Sequence, residues 1–277
     1  MFAPGRAFQA LSGGRHRPTS RLGNPVSPRR WRAHRARVSS RLDSRYSLSL
    51  RKTPLMAAVF TNPVRAPDLS KLYISAKRAV VEAGYLPEII WQESVSFDAI
   101  GEPEFLREYA WVVLTCGMRE SVVRQRFDLF SRCFWSWECS SKITATAEAC
   151  RRLALGVFNH QRKIDAILHV TDSLAEVGFE SFRECLRNDP LKELQRLPYI
   201  GPVTRFHLAK NLGMDVAKPD RHLCRIVRSL GFQSAQDLCT CIAQETGEAV
   251  RVVDLVLWRF ATLKRSYVAE LKVAAGY

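Results

Sequence analysis

The sequence has no run of 18 apolar residues, which argues against a membrane-spanning helix. It also lacks the short apolar core and small-residue cleavage site of a secretory signal. Eight cysteines are present (Cys116, Cys133, Cys139, Cys150, Cys185, Cys224, Cys239 and Cys241), and none form a C-x-x-C pair. That disfavours a zinc ribbon or a thiol redox motif; reduced, mostly buried thiols in an intracellular protein are expected. Strand-like alternation is scarce beyond residue 65. There is no repeat of fixed period, and no low-complexity segment follows residue 55.

Acids are nearly missing from residues 1–55, where twelve Arg and one Lys face only Asp43, a net of +12. The whole chain carries +15, so the remaining residues carry 15 − 12 = +3. The basic excess therefore belongs to the tail rather than to the folded part. The tail is rich in Ser, Pro and Gly, has no apolar periodicity, and reads as disordered. Three readings fit it: an organellar transit segment, including a mitochondrial one; a basic arm that raises DNA affinity; or an over-extended start with Met56 as initiator.

What is present is a helical pattern on a chain of 277 residues, 47% of them hydrophobic, enough for one or two domains. Apolar spacing predicts helices over 68–84, 104–116 and 120–137, with a loop containing Pro87 and Phe97 after the first. A helix capped by Ser140 or Ser141 is expected to end before Gly156. Residues 164–177 form the next, stopped by Gly178, and 179–186 a short one. Asp189-Pro190 starts another, and 235–244 and 249–265 are the last clear helices. The expected division is a tail at 1–55, an N-terminal helical segment at 56–100, a main domain at 101–265 and a C-terminal tail at 266–277.

The most informative stretch runs from Leu197 to Gly231. Leu197-Pro198-Tyr199-Ile200-Gly201 is a tight turn between a helix ending at Leu197 and a second over 203–212, with Gly213 at its C′ position. Such a turn leaves unpaired amides at the second helix's N-terminus, where a phosphate can sit, and a glycine permits close approach. An ordinary helical hairpin without ligand would leave the same trace.

Lys218-Pro219-Asp220-Arg221-His222 then precedes Leu223, Ile226, Val227 and Leu230, a helical stripe closed by Gly231. Asp220 is expected to be an N-cap. Capping alone would account for it, yet a carboxylate beside an extruded nucleotide can also stabilise the cationic sugar that forms as a base departs, or activate water. His222 could assist Asp220, although a solvated or helix-start histidine is the leading reading. Arg205 and Lys210, and a second basic set of Lys218, Arg221 and Arg225, are candidates for phosphate contact. Phe134, Trp135, Trp137, Tyr109 and Trp111 can serve as aromatic walls for a base, although core packing is the leading reading.

Several motifs in order carry a resemblance. The hairpin 197–201, the loop 218–222, the spacing between them, the segment 155–167 and the junction 113–120 together resemble the helix-hairpin-helix Gly/Pro-Asp DNA glycosylase superfamily. The likeness is endonuclease III-like and runs from about Phe105 to Leu230, more weakly to Arg265. It implies an all-α fold of two helical subdomains with a DNA-binding cleft between them, base flipping, and Asp220 as the catalytic carboxylate. Leu197, Tyr199, Gly201, Val203, Thr204, Arg205, Lys218, Arg221 and His222 become the expected DNA-binding set. The chain also departs from the pattern. Val203 stands where bifunctional members carry the Schiff-base lysine, so β-lyase activity by that route is not expected. Tyr199 replaces the first hairpin glycine. Gly117 stands where some members push a polar residue into the duplex. Cys239-Thr240-Cys241 cannot supply the four-cysteine iron–sulfur pattern, so no cluster and no other metal is expected. An alkali cation around Leu197 and Ile200 is compatible with the hairpin.

The expectation is a base-excision-repair N-glycosylase, monofunctional, acting on double-stranded DNA as a monomer. An intracellular, DNA-associated location is expected, in cytoplasm and nucleoid or in the nucleus, with no membrane partner. The alternatives are a non-catalytic reader of DNA structure or lesions on the same fold, and a lyase that uses another amine.

Overall fold

The computed structural model describes residues 67–277, so the expected tail at 1–55, and residues 56–66 of the segment after it, lie outside the described residues. Among the described residues there are fourteen α-helices and no strand, and the fold is all-α. The first four are α1 (Leu69–Glu82), α2 (Leu86–Ser94), α3 (Glu102–Thr115) and α4 (Glu120–Arg132). A 3₁₀ turn follows at Trp135–Trp137, then α5 (Ser140–Ala145), α6 (Ala147–Val157), α7 (Gln161–Val177), α8 (Phe179–Asn188) and α9 (Pro190–Gln195). The chain ends with α10 (Thr204–Asn211), α11 (Arg221–Leu230), α12 (Ala235–Thr246), α13 (Val250–Leu263) and α14 (Tyr267–Ala274).

Four expectations are corrected. The loop expected around Pro87 is helix α2, because Pro87 sits in its first turn, where a missing N–H costs nothing. The helix expected to reach Trp137 ends at Arg132, since Trp135, Ser136 and Trp137 all take positive φ. The single helix expected after Ser140 breaks at Thr146, and Gly156 lies inside α6 rather than after it. The expected C-terminal tail contains α14, whose Tyr267 and Leu271 are buried, as is Ala275 just beyond it. The Ala275 carbonyl accepts from Asp68 N–H at 3.0 Å, which ties this end of the chain to the start of α1.

The buried side chains form two cores. One spans Ile100 to Leu212 and is centred on α3, whose Phe105, Leu106, Tyr109, Val113 and Leu114 are fully enclosed. The other joins the two ends of the described chain: Leu69 to Ile89 pack with Ala217 to Ala275. The expected division into an N-terminal segment and a continuous domain 101–265 is thus replaced by an inserted unit inside a split one. Burial of apolar surface, about 25 cal/mol per Å², drives both, and α1 and α2 complete a core whose other half lies over 120 residues away.

The chain passes between the cores twice, near 95–100 and near 213–217, and the two crossings touch. Gly213 has φ +86, and a Cβ there would lie 2.7 Å from Phe97 N and 2.9 Å from Val95 O. Arg251 on α13 holds both crossings. Its guanidinium donates to the carbonyls of Gln92, Glu93 and Val95 at 3.0, 3.2 and 3.4 Å, and its N–H donates to Asp215 Oδ1 at 3.0 Å. Beside it, Arg259 forks onto Glu88 at 2.9 and 2.7 Å, and Arg124 of the inserted unit reaches the same carboxylate at 2.8 Å.

Candidate catalytic loop and hairpin

The turn between α9 and α10 is built by its own side chains. Tyr199 adopts φ +63, the left-handed conformation a glycine would take more cheaply, and remains exposed. Its neighbour Pro198 offers its carbonyl to the buried Tyr109 hydroxyl at 3.0 Å, so the inserted core fixes the turn. Thr204 Oγ1 accepts from Gly201 N–H at 2.6 Å. Among the described residues, the N–H groups of Val203 and Thr204 donate to nothing, which leaves two amides unpaired at the start of α10. Val203 is exposed. Arg205 donates to Gln195 Oε1 at 2.6 Å and lies over the Phe206 ring. Leu197 and Ile200 are buried, and the Leu197 carbonyl accepts from Ile200 N–H.

The segment after α10 is stapled at successive residues. Ala217 N–H donates to Gln236 Oε1 at 2.9 Å, Lys218 N–H to Asp254 Oδ2 at 2.7 Å, and Asp220 N–H to the Lys218 carbonyl at 2.8 Å. Asp220 then caps α11. Its Oδ1 accepts from His222 N–H at 2.8 Å and from Leu223 N–H at 3.1 Å. Among the described residues Oδ2 has no hydrogen-bond partner. The cap therefore uses one oxygen and leaves the other unengaged. Gly231 closes the helix in the left-handed conformation, as its spacing from Leu230 predicts.

Charge around this loop is unusual. Lys210, on α10, is buried and ion-paired with Asp254 of α13, itself inside the split core. The expectation that Lys210 reaches phosphates is thus corrected: its ammonium belongs to an interior pair. Burial, then Lys218 and Lys210, hold the His207 imidazole well below its ordinary pKa. His222 is lowered as well, by burial first and by Arg221, Arg225 and Lys218 against the pull of Asp220. Its Nε2 accepts from Arg221 Nε at 3.2 Å, and its Nδ1 is buried without a partner. The Tyr267 ring of α14 meets His222 edge-on at 5.6 Å between centroids. His222 is thus half-buried in the first turn of α11, with one face against Tyr267. Arg221, Arg225 and Arg228 stay exposed along α11.

Lys218, Asp220, Arg221 and His222 lie together on the loop entering α11, and Leu197 to Arg205 on the hairpin entering α10. Phe134 and Trp137 stack at 4.9 Å inside the inserted core, and Tyr109 is buried there too, so these aromatics pack rather than wall a site. Trp135 is exposed under the Lys142 ammonium. Reading the sequence missed His207, Asp254 and Tyr267. Asp254 had a visible signal, a lone acid in the apolar run Val250–Leu257.

No family model and no curated protein matches the sequence. Two solved structures are similar to this chain. One is the Methanocaldococcus jannaschii 8-oxoguanine glycosylase/lyase in complex with a 15mer DNA containing 8-oxoguanine, at 17% identity and TM-score 0.47, covering 69% of this chain and 97% of that one. The other is the 8-oxoguanine DNA glycosylase of Thermotoga maritima, at 18% identity and TM-score 0.47, covering 71% and 98%.

Proposed function

We propose that this chain is a DNA N-glycosylase of the helix-hairpin-helix Gly/Pro-Asp superfamily, which extrudes a damaged or mispaired nucleotide and hydrolyses its N-glycosidic bond. The observation that carries the reading is Asp220: one oxygen fixed by two helix amides, the other uncommitted, on a loop stapled to α12 and α13. The free oxygen stabilises positive charge on the deoxyribose as the base leaves, and water completes the substitution at C1′. Fixing the carboxylate beforehand removes the cost of reorganising it in the transition state.

The open amides of Val203 and Thr204 take one phosphate at the start of α10, and Arg205, Arg221 and Arg225 neutralise neighbouring ones. Leu197, Tyr199 and Gly201 set the turn that presents those amides. Val203 has no amine, so the hairpin supplies no covalent nucleophile and excision is hydrolytic. The reading involves a monomer on double-stranded DNA and no iron–sulfur cluster; the Leu197 and Ile200 carbonyls are the groups that would hold an alkali cation.

The test is to incubate the full chain with duplexes bearing uracil, hypoxanthine, alkylated purines, oxidised bases and mismatches, and to assay free base by chromatography. Release of one base class, with abasic sites revealed by alkali, is the expected result. Duplex binding without release of any base overturns the reading in favour of a non-catalytic DNA-binding protein.

A further inference from the structure

Helices α4 and α6 run antiparallel on the outside of the inserted unit. Arg126 of α4 donates to the Val157 carbonyl at the end of α6 at 3.4 Å. Trp135, just past α4, donates through Nε1 to Thr146 Oγ1 at the start of α6 at 2.8 Å. That register sets Leu129 across from Leu153. The two are 56% and 57% exposed, and Trp135 beside them is 47% exposed. Large apolar side chains grouped on one outer face mark an interaction site, unlike the single exposed residues common on any surface. The backbone holds Trp135 there against its preference. Trp135, Ser136 and Trp137 take φ of +53, +50 and +67, left-handed conformations that glycine alone adopts freely. The turn sends Trp137 into the core and leaves Trp135 outside, with the Lys142 ammonium 4.4 Å from its ring centre.

The charge around this patch has one sign. Val122, Arg126, Leu129 and Cys133 follow the spacing of a single helical stripe on α4, so Arg126 lies within the patch, while Arg132 and Arg152 lie at its edges. All three arginines are exposed, and none has an ion pair among the described residues. The acids nearby are engaged or turned aside. Glu138 pairs with Lys142 at 2.6 Å and Asp165 with Arg151 at 2.7 Å. Asp128 on α4 and Glu148 on α6 fall outside the stripes that carry Leu129 and Leu153. The result is an apolar centre with unpaired arginines about it. Tryptophan and arginine are also the residues that contribute most at protein interfaces.

We propose that this face of α4 and α6 docks an acidic amphipathic helix of a partner protein. The partner's apolar side chains pack among Leu129, Leu153 and Trp135, and its carboxylates meet Arg126, Arg132 and Arg152. Charge selects this occupant. A second copy of the chain would set one basic patch against another. Residues 1–55, with twelve Arg and one Lys against one acid, are repelled by the same three arginines. A nucleic-acid backbone satisfies arginine but has no apolar surface with which to cover two leucines. The patch contains no residue of the hairpin or of the Asp220 loop, so the proposal stands apart from the glycosylase reading, and a bound partner leaves the candidate site's own residues uncovered.

The test uses the full chain and a fluorescein-labelled helical peptide with leucines on one face and glutamates on the other, carrying one benzophenone among the leucines. The expected result is a saturable rise in anisotropy, with photo-cross-links that peptide mass spectrometry maps to α4, the turn at Trp135 and α6. Leu129→Glu and Leu153→Glu should each weaken binding by about tenfold or more, whereas Ile74→Glu, at an exposed position of α1, leaves it unchanged. A peptide with serine in place of its leucines keeps the charge and measures attraction to the basic residues 1–55 alone; it should bind more weakly and lose nothing to Leu153→Glu. A peptide with lysine in place of its glutamates should not bind. No saturable binding, equal binding of the serine peptide, or cross-links confined to residues 1–55 or to the split unit overturns the proposal. The cross-link map of the unsubstituted chain decides this even if a variant misfolds.

Discussion

The Lys210 ammonium and the Asp254 carboxylate meet in the interior, joining the last helix of the inserted unit to the central helix of the split one. Asp254 also receives Lys218 N–H, so the same carboxylate links the two units and sets the loop that carries Asp220. Removing one partner of a buried pair strands the other charge, at about 3–5 kcal/mol. Lys210→Met should therefore lower the free energy of unfolding by about that amount, read from denaturant titration; a change within about 0.5 kcal/mol, the range of ordinary surface substitutions, would rule out this role.

Gly213 is required by both space and conformation. Its φ of +86 and the Phe97 amide 2.7 Å from a Cβ leave backbone, not a flexible side chain, to yield. Gly213→Ala should cost about 1–3 kcal/mol, comparable to overpacking a core, and thermal unfolding measures it. Gly201→Ala is the contrast: a Cβ there meets only Thr204 Oγ1 at 3.8 Å, so its effect on stability should be the smaller of the two.

His207 makes stability depend on pH with a definite sign. Burial and two lysines lower its pKa in the folded chain, whereas in the unfolded chain it titrates near 6.5. Below that value the unfolded chain takes up a proton that the folded one refuses. The contribution is thus present above about pH 6.5 and lost progressively as pH falls. His207→Gln should flatten the acid side of a stability profile taken from about pH 8 to pH 5. Some slope should remain, because His222 is lowered in the same direction.

Asp220→Asn separates capping from chemistry. Asparagine caps as well as aspartate, so stability and DNA binding should persist. The charge proposed to stabilise the departing base's sugar is lost, and base release should fall about 10²–10³-fold, as when a single transition-state contact is removed. Single-turnover release of free base, alongside duplex binding by the same variant, checks both halves.

The parts of this site legible in the sequence are those whose physics is local. Asp220 capping α11 and Gly231 ending it follow from spacing along one helix, as does the hairpin from Pro198 and Gly201. What sequence concealed depends on partners far apart. Lys210 reads as an exposed basic residue on a short helix until Asp254, 44 positions later, claims it. Helix α14 has a mixed pattern and no side-chain cap at Ser266, and it exists because Leu271 and Tyr267 have a core to enter. Helix α2 was hidden by Pro87, whose effect depends on which turn it occupies.

The split core sets an order of assembly during synthesis. As the chain emerges, α1 and α2 come first, yet the apolar faces they must cover belong to helices after Ala217. The inserted unit has all of its core residues by Leu212 and can condense alone, whereas the leading pair waits, uncovered, for the final quarter of translation. The hairpin is complete before Asp220 has been made. A nascent or prematurely terminated chain can thus present the surface proposed to grip DNA without the carboxylate proposed to act on it, and the seam between α1 and the end of α14 closes last.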